Sequence, residues 1–361
     1  WLSSSAPGAA EQTPAPLGAA MVVRLGTATP GGGFAVYGQA VADTLREVDP
    51  GLEITLQATG GSTENIPLLE AGKLDLALVE GTAAHEALNG IGRPRSALRL
   101  IAAMYPSPGM FVVRGDASYR SIGDLRGRRV VFGAATSGLV VMARYVLDGL
   151  GLDLRRDFDA VLLERVADGP PLILRGEAAA LWGAGIGWPG FAAVARGPLE
   201  ARFIAPGPEE IARIRAKHPF LQRMTVAAGS YPGQDRPIDT VGTWSLILAR
   251  PGLPDEAAYR FARALHLGQP ALAQRLAQAR DTTPQNTLSA APRPDLLHPG
   301  VARYFGEIGL DASSPPRSPD GAKRNPGEDT AVLLPGFRRP SYRQRSGAAA
   351  SGLRSSSSRL D

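Results

Sequence analysis

Three short stretches set glycines beside hydroxyl or amide side chains directly ahead of an amphipathic run: TATPGGGFAVYG at 27–38, GGSTENIPLLE at 60–70 and GAATSGLVVMA at 133–143. Each follows a strand-like segment. A strand, a glycine turn and a helix in that order aim the unbonded N–H groups of the helix N-terminus at the carboxyl end of a sheet, a place suited to anions. Ser62, Thr63, Glu64 and Asn65 serve equally well as caps for their own helix, so a single turn decides nothing. Three such turns opening onto one cleft describe how a small polar molecule is enclosed between closing lobes. Within the second stretch Pro67 lacks an N–H, so a helix starting at Glu64 or Asn65 keeps all its internal bonds, whereas one starting at Ser62 forfeits one.

Other chemistries find little support. The chain has no cysteine, which excludes disulfides, thiolate catalysis and cysteine-type zinc sites. His85, His218, His266 and His298 are far apart, and none has a second ligand at metal-binding spacing, so no metal is expected. No G-x-S-x-G elbow occurs, and no His or Asp is placed by pattern to activate Ser62. GAGIGW at 183–188 resembles a dinucleotide fingerprint, but Trp188 and Pro189 stand where a small residue and a helix turn should pack. The first glycine loop lacks the Gly-Lys-Ser/Thr of a phosphate-binding P-loop. A binding protein without catalytic residues or cofactor is the expectation.

The net charge of +5 suggests nucleic acid until the charges are located. Residues 313–361 carry nine basic and four acidic side chains, which accounts for all of it, and leaves the remaining chain neutral. No nucleic-acid footprint is therefore expected on the folded part. The 313–361 segment, rich in Arg, Ser and Pro, reads as a disordered tail, and residues 1–20 read as a flexible leader. That leader lacks a basic region followed by an apolar one, so any signal peptide is expected to have been removed already or never included. The uncharged run at 178–195 has the length of a membrane helix, but its glycines and Pro189 favour a strand ending near Trp182, a loop, and a helix from Pro189.

The elements that must position these turns alternate. From residue 22, VVRLGT, FAVYGQAVADTLREV, LEITLQA, the 62–70 run and LDLALVE give β-α-β-α-β, which argues for a mainly parallel sheet covered by helices. In the first helix Val36, Ala40, Val41, Leu45 and Val48 recur at helical spacing and are expected to face the core. A second set starts near Met110 with FVVRGD, SIGDLRG, RVVFGA, VVMARYVLDGLG and AVLLERV and repeats the layout. A strand at TVGTWSLILA and helices over 255–279 and around 299–308 complete the pattern.

Taken in order, LGTATPGGGFAVYG, GGSTENIPLLEAGKLDLALVEG, DLRGRRVVFGAATSG, YPGQDRPIDTV and LHPGVARYFGEIGL resemble the TAXI family of solute-binding subunits of TRAP transporters, over about residues 22–310. The resemblance implies an α/β protein with the type II periplasmic-binding-protein fold, its ligand cleft lying between two lobes. Lobe 1 would comprise 21–107 plus 226–312, and lobe 2 would comprise 108–225. It further implies a periplasmic or otherwise extracytoplasmic location, and integral membrane TRAP transporter subunits as partners. The family's cleft positions fall on Thr27, Gly32, Phe34 and Tyr37, on Ser62, Glu64 and Asn65, on Thr136, Ser137 and Gly138, and on Trp182, Trp188 and Tyr231.

Two departures bear on the ligand. Thr136, Ser137, Gly138 and Leu139 stand where relatives usually show Gly-Ser-Gly-Thr, and Val79, Glu80 and Gly81 stand where polar residues are common. A cleft-facing Glu80 repels a simple dicarboxylate and favours an ammonium or hydroxyl donor, which points to an amino acid or related organic acid as the solute. The alternative use of the same scaffold is a ligand-sensing module that reports to a signalling partner, and gene context separates the two.

Overall fold

The computed structural model describes residues 20–310, with the backbone of Val332–Leu333. The expected leader over 1–20, apart from residue 20, and the expected tail over 313–361, apart from those two residues, lie outside the described residues. The chain opens with β1 (Met21–Gly26), α1 (Gly33–Val48), β2 (Leu52–Gln57), α2 (Ser62–Glu70), β3 (Leu76–Val79) and α3 (Gly81–Asn89). There follows a 16-residue strand, β4 (Arg99–Arg114). Next come β5 (Arg129–Ala134), α4 (Gly138–Gly149), β6 (Asp159–Leu163), α5 (Gly169–Leu174), β7 (Ala180–Ala184) and α6 (Pro189–Ala195). β8 (Ala201–Ile204), α7 (Pro208–Lys217) and β9 (Gln222–Val226) lead into the 12-residue β10 (Ile238–Ala249). The described chain ends with α8 (Asp255–Arg275), α9 (Pro284–Ala290), α10 (Pro299–Glu307) and the two-residue β11 (Val332–Leu333), which pairs parallel with β9.

The sheet runs β2-β1-β3-β10-β4-β7-β5-β6. In lobe 1, β1 pairs parallel with β2 and β3, while β10 closes the sheet antiparallel against β3. In lobe 2, β5 pairs parallel with β6 and β7. β4 and β10 belong to both lobes. Their antiparallel ladder runs from Arg99 opposite Ala249 to Pro108 opposite Gly242. Beyond that point β4 pairs with β7 and β8, and β10 pairs with β9. The sequence pattern places the start of a strand near Met110, but that segment is the second half of β4, which passes unbroken through Pro106 and Pro108. Neither proline offers an N–H to the ladder, so the pairing is thinnest where the lobes join.

Strand alternation assigns the cores. Successive side chains of a strand point to opposite faces. Phe111 and Val113 of β4 join Phe132 and Trp182 in the core under α4, while Met110 and Val112 join Trp188, Phe191 and Tyr231 on the opposite face. The core of lobe 1 is built around Leu25, Leu45, Leu78 and Phe261. The buried face of α1 is rotated from the expected one: Val36 is 43% exposed, whereas Tyr37, Val41 and Leu45 are fully buried at i, i+4 and i+8. Tyr37 is turned inward by its hydroxyl, 2.9 Å from Thr282 Oγ1, which in turn donates to the Met104 carbonyl at 2.7 Å. Asp49, the C-cap of α1, holds the Arg260 guanidinium of α8 through two bonds at 2.8 and 3.0 Å, both side chains being buried. Among the described residues no helix is long and apolar enough to cross a membrane, and the 178–195 run folds as β7, a loop and α6.

Candidate functional site

α1, α2 and α4 all begin at one cavity of about 50 Å³ between the lobes. Gly32, Gly33 and Phe34 line it from the start of α1, Gly60, Gly61 and Ser62 from the start of α2, and Ser137 and Gly138 from the start of α4. The first N–H groups of a helix have no internal partner and carry the positive end of its dipole, so three such ends give the cavity a bias toward negative charge. Trp188 supplies an apolar wall, and Tyr105 and the hydroxyls of Ser107 and Ser245 form the floor where β4 and β10 cross. The last two hydroxyls are 2.9 Å apart. A cavity of this size holds a compact ligand, the equivalent of a few water molecules.

α2 starts at Ser62, not at Glu64 or Asn65, and Pro67 lies inside it. The forfeited bond is accompanied by other anchors at the helix start. Gly61, at φ 121°, adopts a backbone conformation open to glycine and is the N-cap. Glu64 Oε2 accepts from Gly60 N–H at 2.6 Å. Thr63 reaches across to the other lobe: its N–H and its hydroxyl both donate to the Thr136 carbonyl, at 3.1 and 2.8 Å. Thr29 makes a second crossing, its Oγ1 accepting from Val166 N–H at 3.4 Å. The lobes are therefore in contact around the cavity. Gly60 and Gly138 mark close approaches of the two lobes: a Cβ on Gly60 would lie 2.1 Å from Thr136 Oγ1, and one on Gly138 2.4 Å from Glu80 Cβ and 2.7 Å from Ser62 Oγ.

Glu80 is the one acidic side chain lining this cavity, and it is 2% exposed. It caps α3, with Oε2 accepting from Thr82 N–H at 2.9 Å. Oε1 accepts from the Thr82 hydroxyl at 3.3 Å and, more closely, from the Thr243 hydroxyl of β10. Burial pushes its carboxyl up to about 7, against the downward pull of these hydrogen bonds. Its backbone N–H donates to Ser62 Oγ at 3.0 Å, which ties the ends of β3 and α2 together.

Gly32, Phe34, Ser62, Glu80, Ser137, Gly138 and Trp188 are thus brought together at the cavity. The other candidates sit behind it or beside it. Asn65 is fully buried and bonds the carbonyls of Thr27 and Leu78, both at 2.8 Å. Thr27 lies under the same turn, donating to the Gln57 carbonyl at 3.2 Å. Tyr37 points into the lobe 1 core, and Trp182 into the lobe 2 core, with its indole N–H donating to the Leu139 carbonyl at 2.8 Å. Glu64 and Thr136 are exposed at the mouth. Tyr231 is buried against the 185–187 loop, donating to the Gly185 carbonyl at 2.8 Å and accepting from Gly187 N–H at 3.1 Å. Thr29, which lies within the first glycine stretch, also lines the cavity, as do Tyr105, Ser107, Val166 and Ser245, which carry no local sequence signal of it. The prolines at 106 and 108, interrupting an apolar run, are the one available hint of a junction there. Among the described residues no group of three His, Cys, Asp or Glu side chains could hold a metal ion.

A model of the NMT1-like family matches residues 25–309, most of the chain. The chain belongs to the NMT1-like family. Among solved structures, the periplasmic binding protein BugD superposes with a TM-score of 0.50 at 13% identity, over 80% of this chain and 98% of that one. The periplasmic aliphatic sulphonate binding protein SsuA from Escherichia coli is similar at a TM-score of 0.45 and 18% identity, covering 81% of this chain and 80% of that one. A TctC solute binding protein from Polaromonas gives 0.45 and 17%, covering 80% and 98%. This member of the NMT1-like family therefore has the two-lobe α/β fold of periplasmic solute-binding proteins.

Proposed function

We propose that this chain is the extracytoplasmic solute receptor of a TRAP transporter, of the TAXI type, located in the periplasm. It captures a small carboxylate-bearing solute by lobe closure and delivers it to integral membrane transporter subunits. The observation that carries this reading is the convergence of three helix N-termini, two from lobe 1 and one from lobe 2, on one cavity between the lobes. A carboxylate there meets N–H groups and hydroxyls from both lobes, so binding it favours the closed arrangement. Glu80, already held by Thr82, Ala83 and Thr243, brings the one negative charge to the cavity lining, which favours a second, ammonium end over another carboxylate. An amino acid therefore satisfies the cavity better than a dicarboxylate. The ordered set of five motifs supports the TAXI assignment. No nucleophile and base arranged for turnover are found among the residues lining the cavity.

A thermal-shift screen of the full chain against amino acids, dicarboxylates, keto acids and sugars tests the reading. A ligand at a hundredfold excess over its dissociation constant raises native stability by about 2.7 kcal/mol. Stabilisation by an amino acid, followed by saturable calorimetric binding, is expected. A dicarboxylate bound far more tightly than any amino acid overturns the role given to Glu80. The transporter assignment is tested by gene neighbourhood: genes for large and small membrane subunits are expected beside this one, and a signalling-domain gene in their place overturns it.

A further inference from the structure

A second inter-lobe cavity of about 200 Å³ lies beyond Tyr105, which lines both spaces. The partition between them is built: Tyr105 is 5% exposed and its hydroxyl is hydrogen-bonded to Gln278. The second cavity receives Arg196 from the C-cap of α6 in lobe 2, and Arg280 from the turn after α8 in lobe 1. Neither guanidinium forms an ion pair with a carboxylate among the described residues. The other polar groups there are already committed. Tyr231 is bonded to the 185–187 loop, and Ser230 donates to the Ala227 carbonyl at 2.6 Å, while its N–H donates to Gln234 at 3.0 Å. One acidic residue, Asp281, also lines the space, next in the chain to Arg280. Two cations against one carboxylate leave the cavity net positive, with one guanidinium contributed by each lobe; both arginines are exposed at its rim, and Arg280 also feels the charge of Asp281.

We propose that this second cavity binds a small inorganic oxyanion of the phosphate class, bridged between Arg196 and Arg280, and that the anion favours lobe closure whether or not the solute is bound. Guanidinium groups suit this partner because their planar N–H forks match oxyanion geometry. Without an anion the two like charges oppose closure, and with one they favour it, so anion and solute affinities are linked. The proposal rests on the lobe-closure reading above.

The test is calorimetric titration of the full chain with inorganic phosphate at constant ionic strength. Saturable binding of one phosphate is expected, weakened about tenfold or more in Arg196→Ala and in Arg280→Ala, and changed less than about twofold by Ser137→Ala at the first cavity. Failure to saturate, or binding indifferent to both arginine substitutions, overturns the proposal. So does loss of phosphate binding in Ser137→Ala, which places the anion at the helix N-termini, or competition between phosphate and a solute with an acidic far end, which makes the second cavity part of the solute site. Circular dichroism of each variant confirms that folding is retained. Solute binding that responds to Glu80→Gln while phosphate fails to bind removes this inference alone, whereas phosphate binding without any solute removes the transport reading alone.

Discussion

At the scale of residues, Glu80 sets the pH behaviour. Its carboxyl titrates near 7 instead of at its ordinary 4.5, because burial disfavours the charged form. Between those two values the folded state binds more protons than the unfolded one, so stability is greatest at the acid side of the window and falls as pH rises through it. The loss amounts to at most about 3 kcal/mol, at 1.36 kcal/mol per pKa unit. Urea unfolding of the wild type at pH 5 and pH 8 should show this slope, and Glu80→Gln should flatten it. A solute with an ammonium group needs the ionised form, so its affinity should drop about tenfold per pH unit below 7, releasing a proton on binding. Calorimetry in buffers of different ionisation enthalpy reads that proton directly. In Glu80→Gln the pH dependence should vanish along with at least about tenfold of affinity for the solute. Glu80 was visible in the sequence as an unexpected acid after an apolar strand. Its engagement by Thr243 was not, because that partner is 163 residues away and arrives on β10.

At the scale of elements, the turn-to-helix junctions were legible because each carries a glycine beside hydroxyl or amide side chains and a following apolar period, although only Ser137 of α4 caps its helix with its side chain. The rotation of α1 was not, since Val36 and Tyr37 both fit an apolar stripe and the choice is made by α8 and Thr282 packing from elsewhere. The start of α2 was displaced for a similar reason, with contacts from the opposite lobe outweighing a proline that local rules would avoid. Two predictions belong here. Gly138→Ala places a methyl against Glu80 and Ser62, so it should weaken solute binding by about tenfold or more. The unliganded protein should also lose stability in chemical unfolding, because the lobes already meet at this contact. Asp49→Ala removes the buried carboxylate that holds the Arg260 guanidinium and should cost about 3 kcal/mol in chemical unfolding, with solute affinity per folded molecule unchanged.

At the scale of the whole molecule, the alternation of strands and helices made the α/β architecture readable, since parallel strands covered on both faces are apolar throughout. The crossing of β4 and β10 lay beyond any local pattern. Ser107 and Ser245 meet across 138 residues of chain, and with Tyr105 they form a floor that no motif announces. The lobes are joined by the two long strands, by α3 packed on α4 and by His85 stacked on Phe220, so the single bond from Thr63 at the cavity carries little of the fold's stability. Thr63→Val, which removes the hydroxyl bond to the Thr136 carbonyl, should weaken the solute several-fold while leaving the unfolding midpoint of the unliganded chain within about 0.5 kcal/mol. The placement of β10 between β3 and β4 also has a consequence for synthesis. Lobe 1 is assembled from both ends of the described chain, whereas nearly all of lobe 2 comes from the middle. A nascent chain that has not yet reached Ile238 therefore exposes the bare edges of β3 and β4, waiting for a strand still inside the ribosome, while β5, β6 and β7 can already pair. The lobe begun first is the lobe completed last.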